Sequence, residues 1–466
     1  MKRRDFISLA AGVPIGNIIF NTKLFGDEDA PKPSRNRFLL YVHMGSACGI
    51  SSGLVQPLRA GQWPKGFFDA GNNGGSINPL INRQMEAVNG MVFHDYNKFL
   101  APMAQDMCLV NGSSQSLDHN VAAILQRRGT TSNAAAPEWP MAVAQFMKTV
   151  EKKNPMVMTS GVKTLSVPDV TPVQAKDIDD FARITRDLDA IPKNASAPFI
   201  DLLKKRFSTL KLESVVTDKS ISSLADYQLT TLTHGLKELN EAQSDIKVLR
   251  DSLSMEAVKN EVKECVEADA ISKMATSSIR DSLVLAGILA KKGLANGFHL
   301  SIPGEDHHQG ACDIITPRNM GGAWALISLF WKWVKANGLQ DDVLVVVSHD
   351  FSRTAYNGKI IEIDALDANR QNQRLRAQGR DHSLAMGMMF INPSVPKGGR
   401  IGYIADNMAP VATRDARGTI DSEGTPYTSA NMVGSMLMRI FPELFPTERL
   451  VRKHWPDFKE VAPILT

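Results

Sequence analysis

Asp342-Val343-Leu344-Val345-Val346-Val347-Ser348-His349-Asp350-Phe351-Ser352-Arg353-Thr354 joins two unlike pieces of chain. Val343 to Val347 is apolar without a break. A run of that length with no polar alternation suits a strand covered on both faces, as in a parallel sheet between helices. The chain then turns abruptly to hydroxyl, imidazole, carboxylate and guanidinium groups. Ligands of open α/β sheets bind beyond the carboxyl ends of the strands, so Ser348 to Thr354 stands where a site is expected.

The neighbouring segments repeat the theme. Upstream, Gly321 to Val334 is a strongly apolar helix rich in Trp and Leu, and Asn337-Gly338 is its stop signal. Before it, Phe298-His299-Leu300-Ser301-Ile302 reads as a strand followed by Pro303-Gly304-Glu305-Asp306-His307-His308-Gln309. Downstream, residues 355–380 read as a polar excursion, then Asp381-His382-Ser383 leads into the strand Met386 to Ile391. Near the N-terminus, Phe38 to Met44 is a first strand that runs into the turn Gly45-Ser46-Ala47-Cys48-Gly49. Residues 50–90, rich in Gly, Asn, Pro and Ser, read as a long loop with short helices. Met107 to Val110 is a further apolar run, with helices expected over 120–128, 140–150 and 428–441. Strand and helix alternate, so the fold class is α/β: a mostly parallel sheet flanked by helices.

Residues 175–292 differ. Apolar side chains recur there at three and four, as in Ala225, Leu229, Leu232, Leu236, Leu239, Ala242, Ile246, Leu249 and Leu253. This is helical periodicity, and the block reads as a long helical insertion packed against the sheet. The organisation is then 1–36 export signal and linker, 37–174 first part of the α/β domain, 175–292 insertion, and 293–466 second part.

The bulk properties exclude several classes. The chain has 466 residues, 43% hydrophobic and 22% charged, which is an ordinary globular balance. A net charge of +4 gives no case for nucleic acid as a partner. The four cysteines are scattered with no Cys-x-x-Cys pair, so a zinc ribbon or thioredoxin-like site is excluded. Met1-Lys2-Arg3-Arg4-Asp5-Phe6-Ile7 has the pattern of a twin-arginine export signal, followed by a mild, Gly- and Pro-broken apolar stretch. That stretch is too short for an integral span, so none is expected beyond the signal. The expected location is the periplasm or cell envelope. Nothing in the sequence sets the oligomeric state.

Five of the ten histidines sit in Asp/His clusters: Asp118-His119, Asp306-His307-His308, His349-Asp350 and Asp381-His382. One such doublet on a loop is ordinarily solvated or part of a turn. Four of them near strand ends suggest loops converging on a divalent metal. Carboxylate oxygen together with imidazole nitrogen suits Zn or Mn, with Mg or Ca on the oxygen-rich side. Packed carboxylates repel unless a cation joins them. On an extended segment Asp306 and His308 share a face. The candidate ligands are Asp306, His308, Asp350, Asp381 and His382, with His119, His349, Ser46 and Cys48 as further candidates. Arg353, a planar fork suited to an anionic oxygen, is the candidate catalytic residue.

These motifs resemble an exported bacterial family, domain of unknown function 1501, within the alkaline phosphatase/sulfatase-like superfamily. The resemblance rests on Asp350-Phe351-Ser352-Arg353-Thr354 after a strand, on Asp306, His308 and Gln309 upstream, and on Gly379, Asp381 and His382 before a strand. It covers most of the chain outside the helical block. It implies a metal site at the strand ends and hydrolysis or transfer of phosphate or sulfate esters. An anionic ester or a glycan is the implied partner. One departure stands out: the family's aspartate after the first strand is absent from Gly45-Ser46-Ala47-Cys48-Gly49. That departure favours an alternative, a non-catalytic envelope protein that uses the same fold to bind a glycan or a protein.

Overall fold

The computed structural model describes residues 36–45, 86–93, 97–131, 133, 136–151, 157–160, 172–189, 238–263, 265, 271, 275–302, 315–366, 372–405, 409–415 and 419–466. The twin-arginine pattern, Ser46, Cys48, most of 50–90, the first half of the helical stripe, and Asp306 and His308 lie outside the described residues.

The strands are β1 (Phe38–Met44), β2 (Glu86–Val88), β3 (Met91–Phe93), β4 (Met107–Ser113), β5 (Val157–Ser160), β6 (Pro172–Gln174), β7 (Gly297–Ile302), β8 (Val343–His349), β9 (Ser352–Leu366), β10 (Asn372–Ser383), β11 (Ala385–Ile391), β12 (Arg400–Ile401), β13 (Tyr403–Ile404) and β14 (Pro410–Val411). Eight of them form one sheet in the order β12-β4-β11-β8-β1-β7-β5-β6. β1 pairs in parallel with β7 and β8, while β11 runs antiparallel to both β4 and β8. The sheet is thus mixed, mostly parallel and flanked by helices.

The apolar runs are explained by cover on both faces. All seven residues of β8 and all seven of β1 are buried. Phe38, Leu40, Val42, Val343, Val345 and Val347 pack on one side, with the apolar faces of the helices Ser277–Lys292 and Ile315–Ala336. Leu39, Tyr41, Leu344 and Val346 pack on the other, with Trp139–Glu151 and Ser429–Ile440. The described part of the helical insertion joins the first side: Leu239, Ala242, Ile246, Leu249 and Leu253 are all buried there. No helix among the described residues is long and apolar enough to cross a membrane.

Register fixes what meets at the carboxyl edge. Met44 pairs with Ile302 on one side and His349 on the other. Because β11 runs the opposite way, it begins where β4 ends, with Ala385 opposite Ser113. The carboxyl ends of β1, β4, β7 and β8 and the amino end of β11 therefore share one edge. The stretch 355–380 is not an irregular excursion. It is most of a long antiparallel hairpin, β9 with β10, which returns His382 opposite Arg353.

Candidate functional site

Asp350 is the first residue beyond β8 and is buried. His43, next to last in β1, meets its Oδ1 through Nε2 at 2.8 Å. His119, the first residue of helix α1 (His119–Arg128), meets its Oδ2 through Nδ1 at 2.8 Å. Both oxygens of the carboxylate are thus held by imidazole. Burial alone would push the Asp350 carboxyl up, but the two histidines outweigh it and hold the group below the usual carboxylate range.

The chain of polar contacts continues into the core. His43 Nδ1 lies 3.1 Å from Ser348 Oγ, and Ser348 Oγ donates to Tyr41 Oη at 2.7 Å. Tyr41 and His43 stand two apart on one face of β1, and His43 is in register with Ser348. Burial raises the Tyr41 phenol, so it stays a neutral hydroxyl. Tyr41 also meets the ring of His299 edge-on at 5.3 Å. His299 Nδ1 lies 3.0 Å from Glu138 Oε2, both groups buried, and burial lowers the His299 imidazole.

Helix α1 positions His119. Asp118 caps it by accepting from the Val121 N–H at 3.0 Å, and Gly129 closes it in the left-handed region at φ 72°. Its last turn is held by Ser429 Oγ donating to the Leu125 carbonyl at 2.6 Å. Trp139 and Trp455 donate to the Gln126 and Arg128 carbonyls at 2.7 Å each. Gln126 Nε2 donates back to the Asp350 carbonyl at 3.3 Å.

A ring cluster stands at the outer end. The His119, Phe351 and His382 rings lie pairwise 4.3 to 4.7 Å apart between centroids. His382 Nδ1 donates to the Leu117 carbonyl at 2.8 Å, which turns its Nε2 the other way. His119 is the open member of the pair with Asp350: its side chain is 31% exposed against 5% for the carboxylate.

The sequence-predicted residues fall as follows. Asp350, His119 and His382 come together. His349 turns into the sheet: its Nδ1 donates to the Phe351 carbonyl at 2.9 Å and its Nε2 accepts from Gly387 N–H at 3.1 Å. Burial pushes it down to about 4, so it is a neutral ring spent on backbone. Arg353 and Asp381 are placed by backbone alone: Arg353 pairs with His382 near the end of the β9–β10 hairpin, and Asp381 falls in the register shift just before that rung. Sequence reasoning missed His43 and Tyr41, and marked Ser348 only as the start of the stretch where a site is expected. The available signal was Tyr41-x-His43 on one face of an otherwise apolar strand.

Among the described residues, no group of three His, Cys, Asp or Glu side chains is arranged to hold a metal ion. The described residues therefore do not make a metal cage by themselves. What they make is a fixed carboxylate between two imidazoles, one buried and one partly open.

No family model matches the chain, and no curated protein matches it. Solved structures with some likeness include Ps i-CgsB, at 11% identity and a TM-score of 0.28, covering 80% of this chain and 69% of that one. Ps i-CgsB in complex with k-i-k-neocarrahexaose is similar at 10% identity and a TM-score of 0.26, with coverage of 80% and 69%. A TAB5 alkaline phosphatase mutant with Mg bound in the M3 site is similar at 9% identity and a TM-score of 0.29, covering 78% of this chain and 92% of that one.

Proposed function

We propose that this chain is an exported hydrolase of anionic esters, phosphate or sulfate, of the alkaline phosphatase/sulfatase-like kind. The observation that carries the reading is Asp350: a buried carboxylate, held ionised by two imidazoles, just past the end of a central strand. Carboxylates are rarely buried there without a task, and strand ends are where open sheets bind ligands. Of the three sequence motifs that resemble the 1501 family, those of Asp350 and His382 lie at this edge, and Asp306 to Gln309 follows β7 in the sequence. The twin-arginine pattern supports export to the periplasm or envelope.

In this reading Asp350 fixes the ring of His119 by taking its Nδ1–H. His119, the partly exposed member of the pair, is assigned to carry a proton to or from the ester oxygen. His43, Ser348 and Tyr41 hold Asp350 in place. Arg353 is assigned to the anionic oxygens on its motif. A divalent ion, assigned on motif to Asp306, His308, Asp350, Asp381 and His382, enters none of these steps.

The test pairs metal analysis of protein purified from the periplasm with turnover of aryl phosphate and aryl sulfate esters. Turnover that falls about 10²- to 10⁴-fold in His119→Asn supports the reading. Uniform inactivity of the wild type sinks it. The second reading is a binding protein for a glycan or protein. It is favoured by the engagement of both Asp350 oxygens and by the missing acid after β1. Glycan binding with no ester turnover would establish it.

A further inference from the structure

On a two-stranded ribbon, an acid directly opposite a base offsets its charge, while like charges directly opposite each other destabilise the pair. The β9–β10 hairpin, a two-stranded sheet of its own, divides along its length by this rule. At its outer end Arg374 stands opposite Asp364, and Arg376 opposite Glu362. At its root Arg380 stands opposite Tyr356, and His382 opposite Arg353, with no acid on either rung. The basic positions of β10 continue down to the site, while their acidic partners on β9 stop at Glu362.

The root is irregular, and the extra residues are all on one strand. Asn357, Gly358 and Lys359 of β9 stand against Gly379 alone, and Thr354 and Ala355 stand against Asp381 alone. β9 therefore bulges twice, while β10 keeps its alternation. Arg374, Arg376, Gln378, Arg380 and His382 fall on one face of β10, and Asp381 on the other. Bulges recur beside active sites, where they re-aim a strand. Here the ring contacts of His382 with His119 and Phe351 fix the bulged root against the Asp350 site.

We infer that the root of this hairpin is a second anion subsite and that Arg380 determines specificity there: the ester taken beside Asp350 and His119 carries a further phosphate or sulfate group. The first anionic group belongs to the rung of Arg353 and His382. Arg380 lies two residues further along β10, so the second group sits about 7 Å from the first along the strand. Guanidinium suits it, because its planar fork meets two oxygens of either anion. An ester with one charged group would occupy Arg353 and leave Arg380 unused. The inference rests on the proposed function for the first group, and its test reads binding rather than turnover.

The experiment titrates the full chain by calorimetry with methylphosphonate and a butane bisphosphonate bearing one head at each end. A parallel arm uses methanesulfonate and the matching butane disulfonate, and the arm that binds names the anion. The doubly headed ligand is expected to bind about tenfold more tightly than the methyl ligand, roughly one charge-assisted contact partly screened by water. Arg380→Gln should bring it down to the affinity of the methyl ligand, and Arg380→Lys should restore part of the gain. Arg374→Gln, opposite Asp364 at the outer end, should leave the gain intact. Equal affinity for single and double heads in both arms, no binding of any of the four at millimolar concentration, or a gain that survives Arg380→Gln overturns the inference. So does a gain lost equally in Arg374→Gln, because the effect would then be one of overall charge. Ester turnover with no preference for the double head leaves the hydrolase and removes the second subsite. A preference that depends on Arg380, with no turnover of any ester, does the reverse.

Discussion

Asp350 shows how one buried charge is kept. Its carboxylate accepts from two imidazoles on different elements, and each bond is charge-assisted. Asp350→Asn keeps the shape and removes the charge, so stability should fall by about 1.5–3 kcal/mol in urea unfolding. An unchanged midpoint would mean that the two imidazoles do not depend on that charge. Tyr41→Phe removes the acceptor of the Ser348 hydroxyl inside the core, at a cost of about 1–2 kcal/mol by the same measurement. Asp350, His119 and His382 were legible because Asp-His doublets are rare and conspicuous. His43 and Tyr41 were not, because a polar group inside an apolar strand ordinarily reads as filler. Their meaning depends on Ser348, which is 307 positions from Tyr41 in the chain.

Helix α1 is capped at its start by Asp118 and held at its end by Ser429, Trp139 and Trp455, and this fixes where His119 stands. Gly129 sits at φ 72°, and a Cβ there would lie 2.6 Å from the Trp139 ring and 3.0 Å from that of Trp455. Gly129→Ala therefore combines left-handed strain with overpacking, and should cost about 2–4 kcal/mol in denaturant. Asp118→Ala removes only the cap and should cost about 1 kcal/mol. If the two variants lose equal stability, the indole cap is not what holds the helix end. Strands and helices with an apolar stripe were readable to within a few residues. Two hairpins were not. Asn89-Gly90, with φ of 49° and 76°, is a turn signal between Glu86–Val88 and Met91–Phe93 that lay hidden in a glycine-rich stretch. The β9–β10 hairpin was masked by its polar content, although Lys359 to Leu366 alternates in part.

Taken together, the buried imidazoles make the molecule sensitive to acid. Burial pushes both His349 and His454 down to about 4. A histidine lowered on folding stabilises the native state fully above its unfolded value, near 6.5. That stability drains away as pH falls from there towards about 4, at up to ~1.4 kcal/mol per pH unit for each ring. The urea midpoint should therefore drop between pH 6.5 and 4.5, and His454→Asn should lessen the slope. A flat midpoint over that range would contradict the buried neutral rings. The covered sheet was legible from Val343 to Val347, because such a run suits a strand with cover on both faces, and the α/β class from the alternation of strand and helix around it. The antiparallel sense of β11 was not, because direction is set by which edge a connection leaves from, and apolar runs carry no arrow.

The placement of β1 has a consequence for how the chain comes to be folded. The first strand among the described residues is flanked in the sheet by β7 and β8, both from the second half of the chain. Its neighbours do not yet exist when it leaves the ribosome, and loops this long close slowly. The centre of the sheet cannot close until β8 has been made, so β1 waits through about three hundred residues of synthesis as an unpaired apolar segment, and the site at its end waits with it.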